Sequence, residues 1–253
     1  MNESVLKYVC EQSAEVKTRL TQHFSSEVEE FSILTTKIIA TLQNYNLQNL
    51  LHDEGDQKQV AFGLMTKGTN TLMAGFELAL AGYMWEPPVL FRSALEVFAT
   101  AWDIVHNETR FVIWKAGKKF DSTDSISNVK KAIEPFGKLY GYLSYMNVHT
   151  SPLNSSPAML ISGQEPKFQF FGLIPAGKEN VHKGEIYFAL LVAYVCLQLT
   201  ELVFFNYSLE LETIERRPGT DYVKVKVSSR HRRFVDTALQ VFKTMSEDPT
   251  ICF

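Results

Sequence analysis

Hydrophobic residues recur at helical spacing along most of the chain, and the pattern is clearest between residues 57 and 107. Residues 57–84 carry large apolar side chains on one side, and residues 88–107 do so again after a corner that holds Pro87 and Pro88. Proline cannot continue a preceding helix but fits the first turn of the next one. The pattern therefore predicts two long helices joined by a tight corner at the centre of the molecule.

The second of these helices is apolar over most of its circumference and has one polar stripe. The stripe consists of Arg92, Glu96, Ala99, Asp103 and His106. A helix with so wide an apolar arc is expected to pack against at least two neighbours. The stripe itself either faces solvent or lines a charged site inside the protein.

Further helical patterns flank this hairpin. Residues 3–22 and 26–46 are amphipathic, residues 127–148 are helical with an interruption at Pro135, and residues 229–246 carry the last helical pattern. Pro135 is expected to kink or split its helix. The stretch 153–183 is the least regular, and its apolar runs could form a small hairpin within 157–173 or cover the helices.

Residues 186–205 are almost without charge, and Glu201 is their one charged residue. Their length is just sufficient to span a membrane. Gln198 and Thr200 add polarity, however, and a helix at the centre of a bundle is also apolar nearly all round. We therefore expect a buried helix and no stable membrane insertion, with a membrane span as the alternative.

Together these patterns predict an all-α protein, an antiparallel helical bundle of about seven helices. A chain of 253 residues can bury a full core as a single domain. The expected organisation is a pair of N-terminal helices in 1–55, a bundle core in 57–210, and a basic segment with a C-terminal helix in 216–253. No fixed-period repeat and no linker divides the chain.

Composition and motifs narrow the classes of function. The formal net charge of −3 gives no overall attraction to nucleic acid or anionic membranes. The three cysteines have no motif spacing, the histidines stand far apart, and neither a P-loop nor a GxGxxG sequence is present. The first residues lack the basic and apolar regions of a signal peptide. We therefore expect a cytoplasmic protein that uses no metal and no cofactor.

Arg92 and Glu96 are the first candidate site residues, because a spacing of four places them on one face of their helix. If that face is buried, the pair forms a charged binding site to which Ser144, His149 and Glu201 could contribute. A buried ion pair needs nearly complete hydrogen bonding to offset its desolvation. His149 follows several hydroxyl-bearing residues, so it could shuttle protons or simply cap its helix.

A basic segment near the C-terminus is the second candidate. Seven cations fall between residues 216 and 233: Arg216, Arg217, Lys224, Lys226, Arg230, Arg232 and Arg233. Such a segment could follow a phosphate backbone. Only one aromatic residue, Tyr222, lies among them, whereas single-strand binding uses aromatic side chains for base stacking. The segment is therefore either a nucleic-acid contact or a solvated surface.

Several residues already named fall in an arrangement that resembles a known family. The arrangement consists of Lys67, Gly82, Tyr83, Arg92, Glu96, Ser144 and His149, followed by an apolar final bundle helix. Over about residues 60–210 it resembles an uncharacterised family of bacterial helical proteins related to the HEPN (higher eukaryote and prokaryote nucleotide-binding) superfamily. The resemblance implies an antiparallel helical bundle and a bacterial or phage-conflict setting.

Active members of that superfamily are metal-independent RNases with an Arg-x4–6-His motif, in which the arginine stabilises phosphate charge and the histidine acts in acid–base chemistry. No histidine of this chain follows an arginine at that spacing, since His149 has no arginine in the preceding window and Arg19 is one residue too close to His23. We therefore predict a non-catalytic HEPN-like binding or scaffolding module with an RNA or protein partner, and a homodimer as one option. The alternatives are a divergent RNase that uses Arg92, Glu96 and His149, and a membrane-associated protein anchored through 186–205.

Overall fold

The structure is a computed structural model, and it describes residues 5–49, 57–118, 120–147, 176–177, 179–204, 214–216 and 223–225. Within these ranges lie eight α-helices: α1 (Val5–His23), α2 (Ser25–Asn49), α3 (Gln57–Leu80), α4 (Glu86–His106), α5 (Glu108–Lys115), α6 (Ser122–Ala132), α7 (Glu134–Asn147) and α8 (Lys183–Phe204). A short 3-10 helix, Glu179–His182, precedes α8, and the strands β1 (Ile214–Arg216) and β2 (Val223–Val225) pair antiparallel. The predicted all-α helical bundle is confirmed.

Helices α3 and α4 form a closely packed antiparallel hairpin. Gly68 and Gly75 of α3 face the rings of Phe98 and Phe91 of α4, and a Cβ built on either glycine would come within 2.7 Å of the ring. Glycine costs about 1 kcal/mol relative to alanine inside a helix. At these two positions the absence of a Cβ is what lets the phenylalanine rings lie between the helices.

Helix α8 runs through the centre of the bundle and packs against α2, α3 and α4. It is parallel to α2, because Tyr187 near its start bonds Glu27 near the start of α2, while Phe204 at its end packs on Tyr45 near the other end of α2. Of the described helices, α8 is the one long and apolar enough to cross a membrane, and 89% of its most apolar window is buried inside the protein. The burial expected for this helix is thus observed over residues 186–204, and residue 205 lies outside the described residues.

The segment predicted as one interrupted helix forms two helices, α6 and α7, which cover the polar side of α4. Asp121 caps α6, since its carboxylate accepts the Thr123 backbone N–H at 2.9 Å. The break falls at Ile133, and Pro135 lies in the first turn of α7, where a proline is tolerated. Helix α4 therefore has α3, α8, α6 and α7 as neighbours, more than the two that its apolar arc required.

Two predicted elements, the hairpin within 157–173 and the helix over 229–246, lie outside the described residues. The hairpin that the structure does describe is β1–β2, which overlaps the start of the basic segment. Helix α5 is separate from α4 because Asn107 is extended and its side chain accepts the Arg110 backbone N–H. That the whole chain forms a single domain stays a prediction.

Candidate functional site

Arg92 and Glu96 form a compact cluster with Tyr140 of α7, called the Arg92 cluster below. Arg92 Nε lies 3.1 Å from Glu96 Oε1. The Tyr140 hydroxyl donates to that same oxygen at 2.7 Å and accepts from Arg92 Nη2 at 3.1 Å. The guanidinium also lies over the Tyr140 ring, 5.3 Å from its centroid. Each side chain contacts the other two, and the cluster joins α4 to α7.

The Arg92 cluster lies at the edge of this helix interface and remains open to solvent on one side. The side chains of Arg92 and Glu96 keep 25% and 27% of their surface exposed. Burial, followed by the hydrogen bond to Glu96, raises the pKa of the Tyr140 hydroxyl above its usual value. Tyr140 therefore keeps its proton at neutral pH and acts as a hydrogen-bond donor. A molecule at this edge would meet a guanidinium and a carboxylate that already balance each other's charge.

The other predicted site residues are only partly brought to this cluster. Ser144 lies one turn after Tyr140, but its hydroxyl donates to the Tyr140 carbonyl at 2.8 Å and is therefore engaged by its own helix. Glu201 is buried on α8, and the charge that acts on it is that of Lys37 on α2. His149 lies outside the described residues. Arg92, Glu96 and Ser144 thus lie where α4 meets α7. Glu201 lies elsewhere, on α8, and interacts with Lys37 of α2.

Burial dominates the chemistry of Glu201. It is 7% exposed, and burial raises the pKa of its carboxyl to about 8, with the charge of Lys37 opposing that effect. Glu201 is therefore mainly protonated at neutral pH. A protonated carboxyl can donate one hydrogen bond but offers no charge to a ligand.

A second polar cluster, the Asp103 network, lies at the other end of α4 and consists of Asp103, Arg110, Ser125 and Asn128. Asp103 is 1% exposed. Its Oδ2 accepts from Arg110 Nε at 2.9 Å and from the Ser125 hydroxyl at 2.8 Å, and its Oδ1 accepts from Asn128 Nδ2 at 2.9 Å. Arg110 Nη2 also donates to the Asp121 carbonyl at 2.6 Å. These bonds fix α5 and α6 on α4.

The polar stripe of α4 is therefore not a solvated face along its whole length. Asp103 belongs to that stripe and is nevertheless buried, because α6 covers this end of α4. His106, one turn further on, is exposed, and its Nδ1 lies 2.7 Å from the Trp102 carbonyl. The prediction of a solvated face is thus wrong for Asp103 and confirmed for His106. The Arg92 cluster is intermediate in its solvent exposure.

Two titratable groups that the sequence analysis did not single out lie at the start of α8. His182 is 0% exposed, and neither of its ring nitrogens has a hydrogen-bond partner among the described residues. Burial lowers the pKa of its imidazole to about 4. Glu185, one turn later, is partly exposed as a residue, but its Oε2 is inaccessible and has no described partner. Burial raises the pKa of its carboxyl to about 7.

The basic segment is described only in part. Lys224 lies in β2, opposite Glu215 of β1. The other predicted nucleic-acid contacts, Lys226, Arg230, Arg232 and Arg233, lie outside the described residues. In the part of the chain that the structure describes, no three side chains of the metal-ligating types come together.

Comparisons with known proteins supply no relative, since no protein-family model, no curated protein and no solved structure matches this chain. The resemblance to the HEPN-related family therefore stays a prediction. What the protein does must be inferred from its own residues.

Proposed function

We propose that this protein is a non-catalytic, HEPN-like binding or scaffolding module that acts in the bacterial cytoplasm. The observation that supports this proposal most is that the charged residues of α4 are already bonded to other residues of the protein. Arg92 and Glu96 are bonded to each other and to Tyr140, and Asp103 accepts three hydrogen bonds from its neighbours. A catalytic acid or base must exchange a proton with a substrate, whereas groups held in this way set the positions of helices.

The proposed contact for a partner is the exposed edge of the Arg92 cluster. Arg92 retains a quarter of its side-chain surface, and its planar guanidinium can add hydrogen bonds to those it already makes. Because Glu96 balances this charge locally, the edge lacks the excess of cations with which proteins bind a phosphate backbone. A polar protein surface therefore suits it better than RNA. The phage-defence setting rests on the family resemblance alone and is part of the proposal.

An activity assay separates this proposal from the RNase alternative. Single-stranded and structured RNA incubated with the wild-type protein in EDTA should remain intact. Metal-free cleavage that disappears in Arg92→Ala, while the variant stays folded, would contradict the proposal and support the divergent nuclease instead.

Cross-linking mass spectrometry in the native cell tests the proposed contact directly. Cross-links to a partner protein should be lost in the double variant Arg92→Ala/Glu96→Ala and retained in Met73→Ala, a matched change at an exposed residue of α3 that is 41% accessible. If both variants keep the same cross-links, the Arg92 cluster is not the contact.

A further inference from the structure

The 3-10 helix before α8 is attached to the end of α1 by two polar contacts, together called the α1 seam. Arg19 Nη1 donates to Glu179 Oε1 at 2.7 Å. One turn later on α1, His23 Nε2 lies 3.1 Å from Asn180 Oδ1. His23 is exposed and Glu179 only half-buried, so water reaches this seam. Both contacts of the α1 seam are therefore open to competition from water.

His182 ends this 3-10 helix and is fully buried, with no described hydrogen-bond partner at either ring nitrogen. A buried polar group without a partner destabilises the fold even when it is neutral, and a charged group does so more strongly. His182 also stands immediately before Lys183, the first residue of α8. An imidazolium there would meet the positive end of the α8 dipole, which raises its energy further.

Burial is the one cause of the lowered pKa of His182, so no neighbouring charge compensates for an imidazolium there. The charged and titratable groups on the elements around it are Glu15, Arg19 and His23 on α1, Glu27 and Glu30 on α2, Glu179 on the 3-10 helix, and Lys183 and Glu185 on α8. Glu179 and Glu15 both lie against Arg19, and Glu27 accepts the Tyr187 hydroxyl. Glu30 is 0% exposed and has an interaction of its own, although its Oε2 has no described hydrogen-bond partner. Glu185, whose pKa burial raises to about 7, is increasingly protonated below that pH and supplies less and less negative charge.

We propose that the α1 seam is an acid-sensitive latch, in which protonation of the buried His182 releases the 3-10 helix from α1 and opens the start of α8. Opening gives the imidazolium water as a hydrogen-bond partner. It breaks the bonds of Arg19 to Glu179 and of His23 to Asn180, both of which water can replace. The change stays local, because the rest of α8 remains packed against α2, α3 and α4.

The direction of the pH dependence follows from burial of the imidazole. Burial lowers the pKa of His182 from 6.5 to about 4 in the closed latch, so closing favours the neutral ring. The closed state is thus fully stable above about pH 6.5 and loses stability as the pH falls toward 4. Within that window the opening equilibrium rises by up to about tenfold per pH unit, because one proton is taken up on opening.

Hydrogen-exchange mass spectrometry on the full chain, corrected for the intrinsic pH dependence of exchange, tests the latch. Between pH 7 and pH 5 the protection of residues 179–190 should fall by about tenfold or more, while that of α3 and α4 is retained. In His182→Phe, which keeps a ring but has no titratable nitrogen, this acid-induced loss should be absent. The matched controls His23→Gln, at the seam, and His106→Gln, on the exposed end of α4, should keep it.

The latch is overturned if the wild-type protection is unchanged over this range, or if His182→Phe loses protection as the wild type does. Loss of the acid response in His23→Gln would show that His23, and not His182, is the titrating group, and would also overturn the proposal. Should His182→Phe not fold, NMR titration of the wild-type His182 ring decides the matter. Ring signals that remain neutral until protection is lost support the latch, whereas protonation near pH 6.5 without any loss of protection contradicts it.

Discussion

Asp103 and Glu201 are both buried carboxyl groups, and the bundle accommodates them in opposite ways. Asp103, 1% exposed, accepts hydrogen bonds from a guanidinium, a hydroxyl and an amide. Glu201, 7% exposed, has the charge of Lys37 to act on it, and burial raises its pKa to about 8. Hydrogen-bond donors around a buried carboxyl offset its desolvation, whereas burial without enough of them raises its pKa, as it does at Glu201. Burial alone therefore does not reveal a functional acid.

The position of each carboxyl in the fold explains this difference. Asp103 lies where α4 meets α5 and α6, two helices whose polar side chains supply the donors. Glu201 lies on α8, whose neighbours in the core are mostly apolar. Asp103 therefore holds helices together, whereas Glu201 is mainly a neutral group in the core below about pH 8.

Replacing Asp103 should produce the largest effect. Asp103→Ala leaves the guanidinium of Arg110, whose side chain is 12% exposed, with only the exposed carboxylate of Asp124 as an anion. It also removes the acceptor of the hydrogen bonds from Ser125 and Asn128. Breaking a buried ion pair on one side costs about 3–5 kcal/mol, so the free energy of unfolding in urea should drop by that amount. Asp103→Asn keeps the shape and one acceptor oxygen and should lose less. A loss below about 1 kcal/mol for Asp103→Ala would show that the network is not structural.

Replacing Glu201 should change how stability depends on pH. Its folded pKa is raised from 4.5 to about 8, so the wild type is favoured below about pH 4.5 and loses stability as the pH rises toward 8. Glu201→Gln removes this loss. As the pH rises, the free energy of unfolding of the variant should therefore increase relative to that of the wild type by up to about 1.4 kcal/mol per pH unit. Urea unfolding of both proteins at pH 5, 6, 7 and 8 measures the difference. A constant difference would mean that Glu201 is ionised in the fold.

The contrast also shows which features the sequence could predict. The helical bundle and the split near Pro135 follow from local spacing and proline geometry, so they were predictable. The donors around Asp103 lie 22 and 25 residues away on α6, and Tyr140 lies 44 residues from Glu96. Such contacts depend on how helices pack, which periodicity does not specify. His182 lies among several polar residues before an apolar helix, and no sequence pattern distinguishes it from an exposed histidine.

The Arg92 cluster should behave as an intermediate case between Asp103 and an exposed pair. Unfolding energies of Arg92→Ala, Glu96→Ala and the double variant give the coupling between the two residues. Because each side chain keeps about a quarter of its surface, water screens the pair, and we expect a coupling of about 0.5–1 kcal/mol. A coupling above about 3 kcal/mol would place the pair with the Asp103 network and remove it as an accessible contact.

Tyr140→Phe should have the smallest effect on stability. The variant keeps the ring beside Arg92 and removes only the hydroxyl that bonds Glu96 and Arg92. Since the Arg92–Glu96 contact of 3.1 Å does not need that hydroxyl, a loss of about 0.5 kcal/mol is expected, the lower end for a hydrogen bond. The raised pKa of Tyr140 favours the folded state below about pH 10 and makes the wild type lose stability above it. Tyr140→Phe should therefore lose less stability than the wild type above pH 10. An identical decline in both proteins would show that the Tyr140 hydroxyl is equally solvated in the folded and unfolded states.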